Sequence, residues 1–421
     1  MRQFLFSCVL CLSFSALYSQ NIIGDWSGKI DVQGNQLPIL FHFYKDSTGA
    51  INGRWDSPKQ NANNLPFSQI NVAEDSLHLE IKMINGSYEG KFVDHDSIAG
   101  IWRQRNNQWP LNFLRTINTA TEKVSPAHPN EKEISIATAP EVNISGTLLS
   151  KNNHQKLAII IAGSGPTDRN GNSASGMETN SYQMLARSLD SQNIATFRYD
   201  KRAVAKSASA TIKEKYLRFD DYVSDLEKIF NYLHDTLGFK DIYFIGHSEG
   251  SLIAMIASQK SKVKGFISVA GAGRPVDVIL EEQMKKQPLP DSIKQQIPII
   301  FDQLKNGKLV DDVPKLLSPL FRKSVQPYVI SWMKYSPVKE IKKLTCPILI
   351  LQGNCDIQVT FEDANNIHNA NKKSILEIIP SMSHTLKNAG ADCVDERKTY
   401  TDGSIPVDTK LVKAIVEFIE K

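Results

Sequence analysis

The chain has 421 residues, 41% of them apolar and 22% charged, with 23 glycines and 19 prolines. That is enough for one large domain and a smaller one, with the composition of a folded protein and not of a disordered or fibrous chain. The net charge of +4 comes from basic residues interleaved with acidic ones. Nothing in this pattern suggests a nucleic-acid or membrane-surface partner, and no internal apolar run is long enough to span a bilayer.

Met1 and Arg2 give a positive start, residues 4–17 are almost wholly apolar, and Ala16-Leu17-Tyr18-Ser19 offers small residues at cleavage spacing. Residues 1–20 are therefore expected to be a secretory signal peptide, which sends the chain to the periplasm or out of the cell. A signal anchor would need a longer apolar stretch. Cys8 and Cys11 lack the small-residue lead-in that lipid attachment requires. Export leaves Cys346, Cys355 and Cys393. An odd count predicts no disulfide framework, although one bridge involving Cys393 is compatible with an oxidising compartment. No CxxC or Cys/His cluster suggests a metal.

Residues 21–115 read as antiparallel β. Leu37, Ile39, Phe41 and Phe43 alternate with other residues, as do Leu77, Leu79, Ile81 and Met83, which is the period of half-buried strands. Gly24-Asp25-Trp26, Gly53-Arg54-Trp55, Gly86-Ser87-Tyr88 and Gly100-Ile101-Trp102 repeat a turn glycine followed by an aromatic. This suits a small barrel or sandwich. Trp26, Trp55 and Trp102 could line a ligand pocket, but buried aromatics are the usual core of such domains, and the core reading is preferred.

Residues 116–132, with Pro126 and Pro129 and no periodicity, are expected to be a linker. From residue 133 to 421 strands alternate with helices. An opening strand pair spans 133–150. Strands follow at 156–162, 195–199, 241–245, 263–269, 347–351 and 375–379, and helices at 180–190, 220–237, from 249, and 407–420. Such alternation builds a doubly wound, mostly parallel sheet with helices on both faces and its working loops at the carboxyl ends of the strands. Residues 272–341 break the pattern with helical periodicity and no strand, as expected of a helical cap inserted over an active site.

The chemistry centres on Gly246-His247-Ser248-Glu249-Gly250, between an apolar strand and a helix. A tight strand–helix turn there would hold Ser248 as an exposed nucleophile, with small residues demanded at Gly246 and Gly250. A serine needs a base, and in chain order His384, in the loop after the last strand, fills that place. His368 falls in a helix, and His247 would point away from the nucleophile. Asp356, after the strand 347–351, is the acid expected to orient His384. Asp363 falls in the next helix and reads as solvated. The two backbone donors for an oxyanion are assigned to the amides of Ser164, in the loop after the strand 156–162, and Glu249.

Together Gly163-Ser164-Gly165-Pro166-Thr167-Asp168-Arg169-Asn170-Gly171, Tyr199-Asp200-Lys201-Arg202, Gly246-His247-Ser248-Glu249-Gly250, Gln352-Gly353-Asn354-Cys355-Asp356-Ile357-Gln358-Val359 and Met382-Ser383-His384 resemble the bacterial α/β-hydrolases related to esterase D and the serine aminopeptidase-like hydrolases. The resemblance runs from about residue 133 to the end. It implies an α/β-hydrolase fold and hydrolysis of small carboxylic esters, often of short acyl chain, without metal or organic cofactor. Two departures stand out. The family usually has His-Gly at Ala162-Gly163, and glycines at Ala203 and Ala205, where the change is expected to stiffen or reshape a loop beside the pocket.

The resulting expectation is a secreted serine esterase acting through Ser248, His384 and Asp356 on a small-molecule ester, with oligomeric state left open. A peptidase of small peptides is the alternative. It would need a recognition group for an amino terminus, such as Glu281 or Glu282, although these read as a solvated helix face. A non-catalytic binding protein would show a broken set of catalytic residues, and this set is complete.

Overall fold

The computed structural model describes residues 22–421 apart from residues 33, 46–49, 58–61, 74, 117–127, 152–154, 174–175 and 210–211. The expected signal peptide, with Cys8 and Cys11, and most of the expected linker lie outside the described residues. The chain divides into two compact units, Met1–Pro126 and Ala127–Lys421.

The first unit is a single ten-stranded antiparallel sheet folded as a half-barrel. Its strands are β1 (Gly24–Val32), β2 (Asn35–Lys45), β3 (Ile51–Ser57), β4 (Ala62–Pro66), β5 (Gln69–Ala73), β6 (Ser76–Ile81), β7 (Gly86–Phe92), β8 (Ser97–Gln104), β9 (Asn107–Pro110) and β10 (Phe113–Thr116). Their order is β4-β3-β2-β1-β10-β8-β7-β6-β5, with β9 paired to β8. The alternation places Ile39, Phe41 and Phe43 of β2 and Leu77, Leu79 and Ile81 of β6 in one core. Met83 leaves this pattern: β6 ends at Ile81, and a 3-10 turn exposes Met83. Trp26, Trp55 and Trp102 are all buried in that core, with Trp55 and Trp102 in contact at 5.5 Å between ring centroids. They are packing residues of that core.

The second unit holds β11 (Glu131–Ala139), β12 (Val142–Leu149), β13 (Lys156–Ile161), β14 (Ala195–Tyr199), β15 (Asp241–His247), β16 (Gly265–Val269), β17 (Ile348–Gly353) and β18 (Ile375–Ile379). The order is β11-β12-β14-β13-β15-β16-β17-β18, antiparallel for the first two pairings and parallel beyond. The helices are α1 (Ser181–Ser191), α2 (Phe219–Asn231), α3 (Glu249–Ala257), α4 (Val276–Lys285), α5 (Asp291–Lys294), α6 (Gln296–Lys305), α7 (Ser318–Phe321), α8 (Gln326–Trp332), α9 (Pro337–Glu340), α10 (Phe361–Ala370) and α11 (Thr409–Glu420). This is the α/β-hydrolase fold.

Strands buried on both faces read as continuous apolar runs. In β13, Leu157, Ile159 and Ile161 face a core shared with α2, α3 and α10, while Ala158 and Ile160 face one shared with α1 and α11. The amphipathic spacing of α2 buries Phe219, Tyr222, Val223, Leu226, Ile229 and Phe230 against the first of these. Each such side chain contributes about 1.5–3 kcal/mol over exposure. Between β16 and β17 the chain runs through α4 to α9 and forms a small core of its own around Ile297, Phe301, Leu304, Phe321 and Val329. Strand boundaries overlap the ends of the expected linker, since β10 reaches Thr116 and β11 begins at Glu131. The expected helix 220–237 ends as an α-helix at Asn231 and continues as a wider π turn over Tyr232–Thr236.

Candidate active site

The carboxyl ends of β13, β15 and β17 and the loop after β18 converge on one place. β15 enters a turn at Ser248, whose backbone is left-handed at φ 53 and ψ −119. The turn is tight because its flanks are packed on main chain. A Cβ on Gly246 would lie 2.4 Å from the Gly250 carbonyl oxygen, and one on Gly250 2.3 Å from that of Ile161. No other residue fits at either position. The Ser248 amide donates to the Val269 carbonyl at 3.0 Å, and the Ser248 carbonyl accepts from the Ser251 amide at 3.0 Å. A non-glycine residue held at positive φ stores strain, and here it lifts the Ser248 hydroxyl clear of the sheet.

His384 lies in the loop after β18 and is 5% exposed. Its Nδ1 is 2.8 Å from Asp356 Oδ2. Asp356 Oδ2 also accepts from Gln352 Nε2 at 3.1 Å, and Oδ1 accepts from the amides of Gln358 and Val359 at 2.8 and 3.0 Å. Burial raises the Asp356 carboxyl, but the His384 charge and hydrogen bond, with those amides, more than offset it. The carboxyl ends below its ordinary range. Ser248 and His384 line a common cleft of about 450 Å³, open mouth included. Among the described residues no hydrogen bond joins the Ser248 hydroxyl to His384. Ser164 and Glu249 flank Ser248 on a second cleft of about 520 Å³ with its mouth. The structure thus brings Ser248, His384, Asp356, Ser164 and Glu249 to one site.

The motifs assign no role to several residues that matter here. His247 lines the same cleft as Ser248 and His384, and both of its ring nitrogens are taken up by structural hydrogen bonds. Its Nε2 is 2.8 Å from the His384 carbonyl oxygen and its Nδ1 2.7 Å from the Tyr182 hydroxyl. A carbonyl only accepts, so Nε2 carries the proton and the Tyr182 hydroxyl donates to Nδ1. Burial holds His247 neutral, down to about 3. The Tyr182 oxygen in turn accepts from the Gly163 amide at 3.1 Å. Lys201 is fully buried and donates to the Gly163 carbonyl at 2.6 Å, with Glu249 Oε1 3.6 Å away. Burial pulls the ammonium below its ordinary range, and Glu249 offsets only part of that. Neither an aromatic at position 182 nor a lysine at position 201 carries a signal of such contacts in a single sequence.

Three expectations are corrected. Cys355 and Cys393 form a disulfide, with a sequence separation of 38. The bridge ties the residue before Asp356 to the segment after the His384 loop, and it leaves Cys346 as the unpaired thiol among the described residues. Asp363 is not solvated: its side chain is 0% exposed, caps α10 through Thr360 and binds the Arg274 guanidinium with both oxygens. Glu281 and Glu282 are half-buried and paired with Lys285 and Arg274.

Among the described residues no group of three His, Cys, Asp or Glu is arranged to hold a metal, and no helix is long and apolar enough to cross a membrane.

Residues 175–389, just over half of the chain, match the family model described as serine aminopeptidase, S33. The esterase EstD of Thermotoga maritima is 24% identical over 326 residues, covering 75% of this chain and 74% of the relative. An esterase of Pyrococcus furiosus superposes with a TM-score of 0.47 at 16% identity, over 69% of this chain and 90% of its own. The esterase Est1E of Butyrivibrio proteoclasticus, solved with ferulic acid, gives 0.45 at 20% identity, over 68% and 100%. A proline iminopeptidase of Mycobacterium smegmatis gives 0.44 at 11% identity, over 69% and 98%.

Proposed function

The chain belongs to the serine aminopeptidase (S33) family of hydrolases, and from that premise we propose that it is a serine esterase acting on small carboxylic esters through an acyl-enzyme. The observation that carries this reading is the 2.8 Å contact between His384 Nδ1 and Asp356, with His384 and Ser248 facing one cleft. The likeness to an esterase of Thermotoga maritima supports the ester class.

In this mechanism the Ser248 oxygen attacks the ester carbonyl carbon while His384 Nε2 takes its proton. Asp356 fixes the tautomer and stabilises the imidazolium. The oxyanion is held by the amides of Ser164 and Glu249, the latter at the first turn of α3, where helix N–H groups have no partner within the helix. His384 returns the proton to the leaving oxygen as the C–O bond breaks. A water then gives its proton to His384, attacks the acyl carbon and releases the acid, and the Ser248 oxygen recovers the proton.

The two clefts divide the substrate. The leaving oxygen must lie beside the acid that protonates it, and His384 lines only the first cleft, with Thr167, Thr179 and Tyr400. The alcohol is assigned there. The acyl group enters the second cleft, where Leu252, Val276, Ile279, Leu280 and Trp332 offer apolar walls. A peptidase acting on a free amino terminus would need a carboxylate facing the substrate. Glu249 is the one acidic residue lining either cleft among the described residues, and it is occupied by Lys201 and Tyr328. Export belongs to the same proposal, supported by the apolar character of residues 1–20 and by a disulfide of the kind that persists in oxidising compartments.

The test is hydrolysis of a p-nitrophenyl ester series from acetate to octanoate, beside Ser248→Ala. Turnover by the native chain that vanishes in the variant, with fluorophosphonate labelling of Ser248, is expected. Absence of both turnover and labelling in the native chain would sink the reading.

A further inference from the structure

We propose that Lys201 is a positioning residue for both oxyanion donors: its ammonium holds the carbonyl of the Gly163–Ser164 peptide, and its counter-ion Glu249 carries the second donor on its own backbone. The inference rests on the esterase reading above and adds to it a residue that none of the triad logic requires.

The geometry starts at the end of β14, where Lys201 follows Asp200. The Lys201 side chain is 1% exposed, and its nitrogen stands 2.6 Å from the Gly163 oxygen, 3.6 Å from Glu249 Oε1 and 4.9 Å above the Tyr222 ring. Glu249, itself 1% exposed on its side chain, also accepts from the Tyr328 hydroxyl. Burying an ammonium and a carboxylate is expensive, and such pairs return little net stability compared with apolar residues of the same volume. Stability is therefore a poor account of this one, and its position suggests a better.

Gly163 lies against the nucleophile: a Cβ built there would be 3.2 Å from Ser248 Cβ. Both peptides flanking Gly163 are pinned. The Gly163 amide donates to Tyr182, and the Gly163 carbonyl accepts from Lys201. The carbonyl of residue 163 and the N–H of Ser164 belong to one conjugated unit. A cation on the oxygen fixes the rotation of that unit and polarises its N–H into a stronger donor. The Ser164 N–H has no protein acceptor among the described residues, and Ser164 lines both clefts. On the other side, the Lys201–Glu249 pair anchors the side chain of the residue whose amide opens α3. One buried ion pair thus sets the spacing between the two donors before substrate arrives, which is where oxyanion stabilisation gains most.

The experiment compares the full chain with Lys201→Met/Glu249→Gln, which removes both charges together and leaves no buried ion unpaired. Active sites are counted by fluorophosphonate titration, so that a folding defect changes the count and not the rate per site. The expected result is a kcat per titrated site lower by about ten- to hundredfold, with KM within about twofold. The inhibition constant of a short alkyl trifluoromethyl ketone, whose hemiketal oxyanion occupies the same donors, should rise by the same factor as kcat falls. Wild-type kcat per site and wild-type inhibition in the double variant would overturn the proposal. If the double variant yields no titratable sites, Lys201→Arg decides. Retention of most of the kcat per site supports a cation on the Gly163 carbonyl, and a hundredfold loss in a titratable Arg variant overturns it. Failure of the esterase reading looks different, because the native chain itself would then neither turn over esters nor label.

Discussion

His247 Nε2 donates to the main-chain carbonyl of His384 across 2.8 Å, so the residue before the candidate nucleophile holds the backbone of the candidate base. Through Tyr182 the same imidazole reaches the Gly163 amide. The end of β15 and the loops after β13 and β18 are thereby joined by one hydrogen-bonded path along the wall of the cleft.

That path makes stability sensitive to acid. Burial holds His247 at about 3 in the folded chain, against 6.5 for a free imidazole. The unfolded chain therefore binds the proton more readily. The contribution is fully present above pH 6.5 and is lost as pH falls towards 3, to a total of a few kcal/mol. Thermal unfolding between pH 7 and 4 should show a falling Tm, and His247→Gln should flatten the fall while lowering the Tm at pH 7. A variant that loses Tm with acid as steeply as the native chain would remove His247 from that role.

The Cys355–Cys393 bridge stands next to Asp356, and the Cys355 amide donates to the Met382 carbonyl at 3.1 Å. It closes a loop that contains the strand β18 and the His384 loop. A cross-link over such a span stabilises by about 2–4 kcal/mol, mainly through the unfolded chain. Cys393→Ala should lower stability by that order and cut esterase kcat several-fold by loosening the Asp356 turn. Equal urea midpoints for oxidised and reduced protein would refute this.

Ala203 and Ala205, where the resembling hydrolases carry glycine, keep the glycine-like backbone, at φ 67 and 41. A residue with a Cβ is strained in this left-handed region. Both are exposed, so no packing is lost on removing a methyl. Ala203→Gly and Ala205→Gly should each stabilise by roughly 0.5–1 kcal/mol, the steric penalty of left-handed alanine less the entropy of glycine. A rise of about 1–3 °C in the Tm of the double variant is expected, and a fall would show that Cβ contacts outweigh the strain.

The parts of this fold that were legible in the sequence are those encoded locally. β14 at Ala195–Tyr199 and β18 at Ile375–Ile379 fall at the expected residues because short apolar runs between polar turns have one stable reading inside a parallel sheet. Ser248, Asp356 and His384 could be chosen because each follows a strand that the pattern exposes. What stayed hidden depends on distance through space. Nothing near Lys201 in the chain says that its ammonium ends beside Gly163, 38 residues earlier. Asp363 read as solvated because a helix position alone does not reveal that Arg274, 89 residues before it, would bury it. The disulfide was obscured by an odd cysteine count, which says nothing about which pair the fold brings together.

The division of the substrate between two clefts can be tested from the acyl side alone. Ile279, from α4, and Trp332, from α8, are buried on the walls of the second cleft, away from His384. A larger side chain at Ile279 removes space without touching Ser248 or its partners. Ile279→Trp should depress kcat/KM for hexanoate by about tenfold while sparing acetate, since one or two methylenes in an apolar pocket are worth 1–3 kcal/mol. Trp332→Ala should do the reverse and admit longer chains, at a stability cost of about 3 kcal/mol. Neither should reorder a series in which the acid is fixed as acetate and the alcohol varied, because that group is assigned to the cleft lined by Thr167, Thr179 and Tyr400. If Ile279→Trp instead reorders the alcohol series and leaves acyl preference unchanged, the two clefts have been assigned the wrong way round, and His384 must protonate its leaving group from the side of α4.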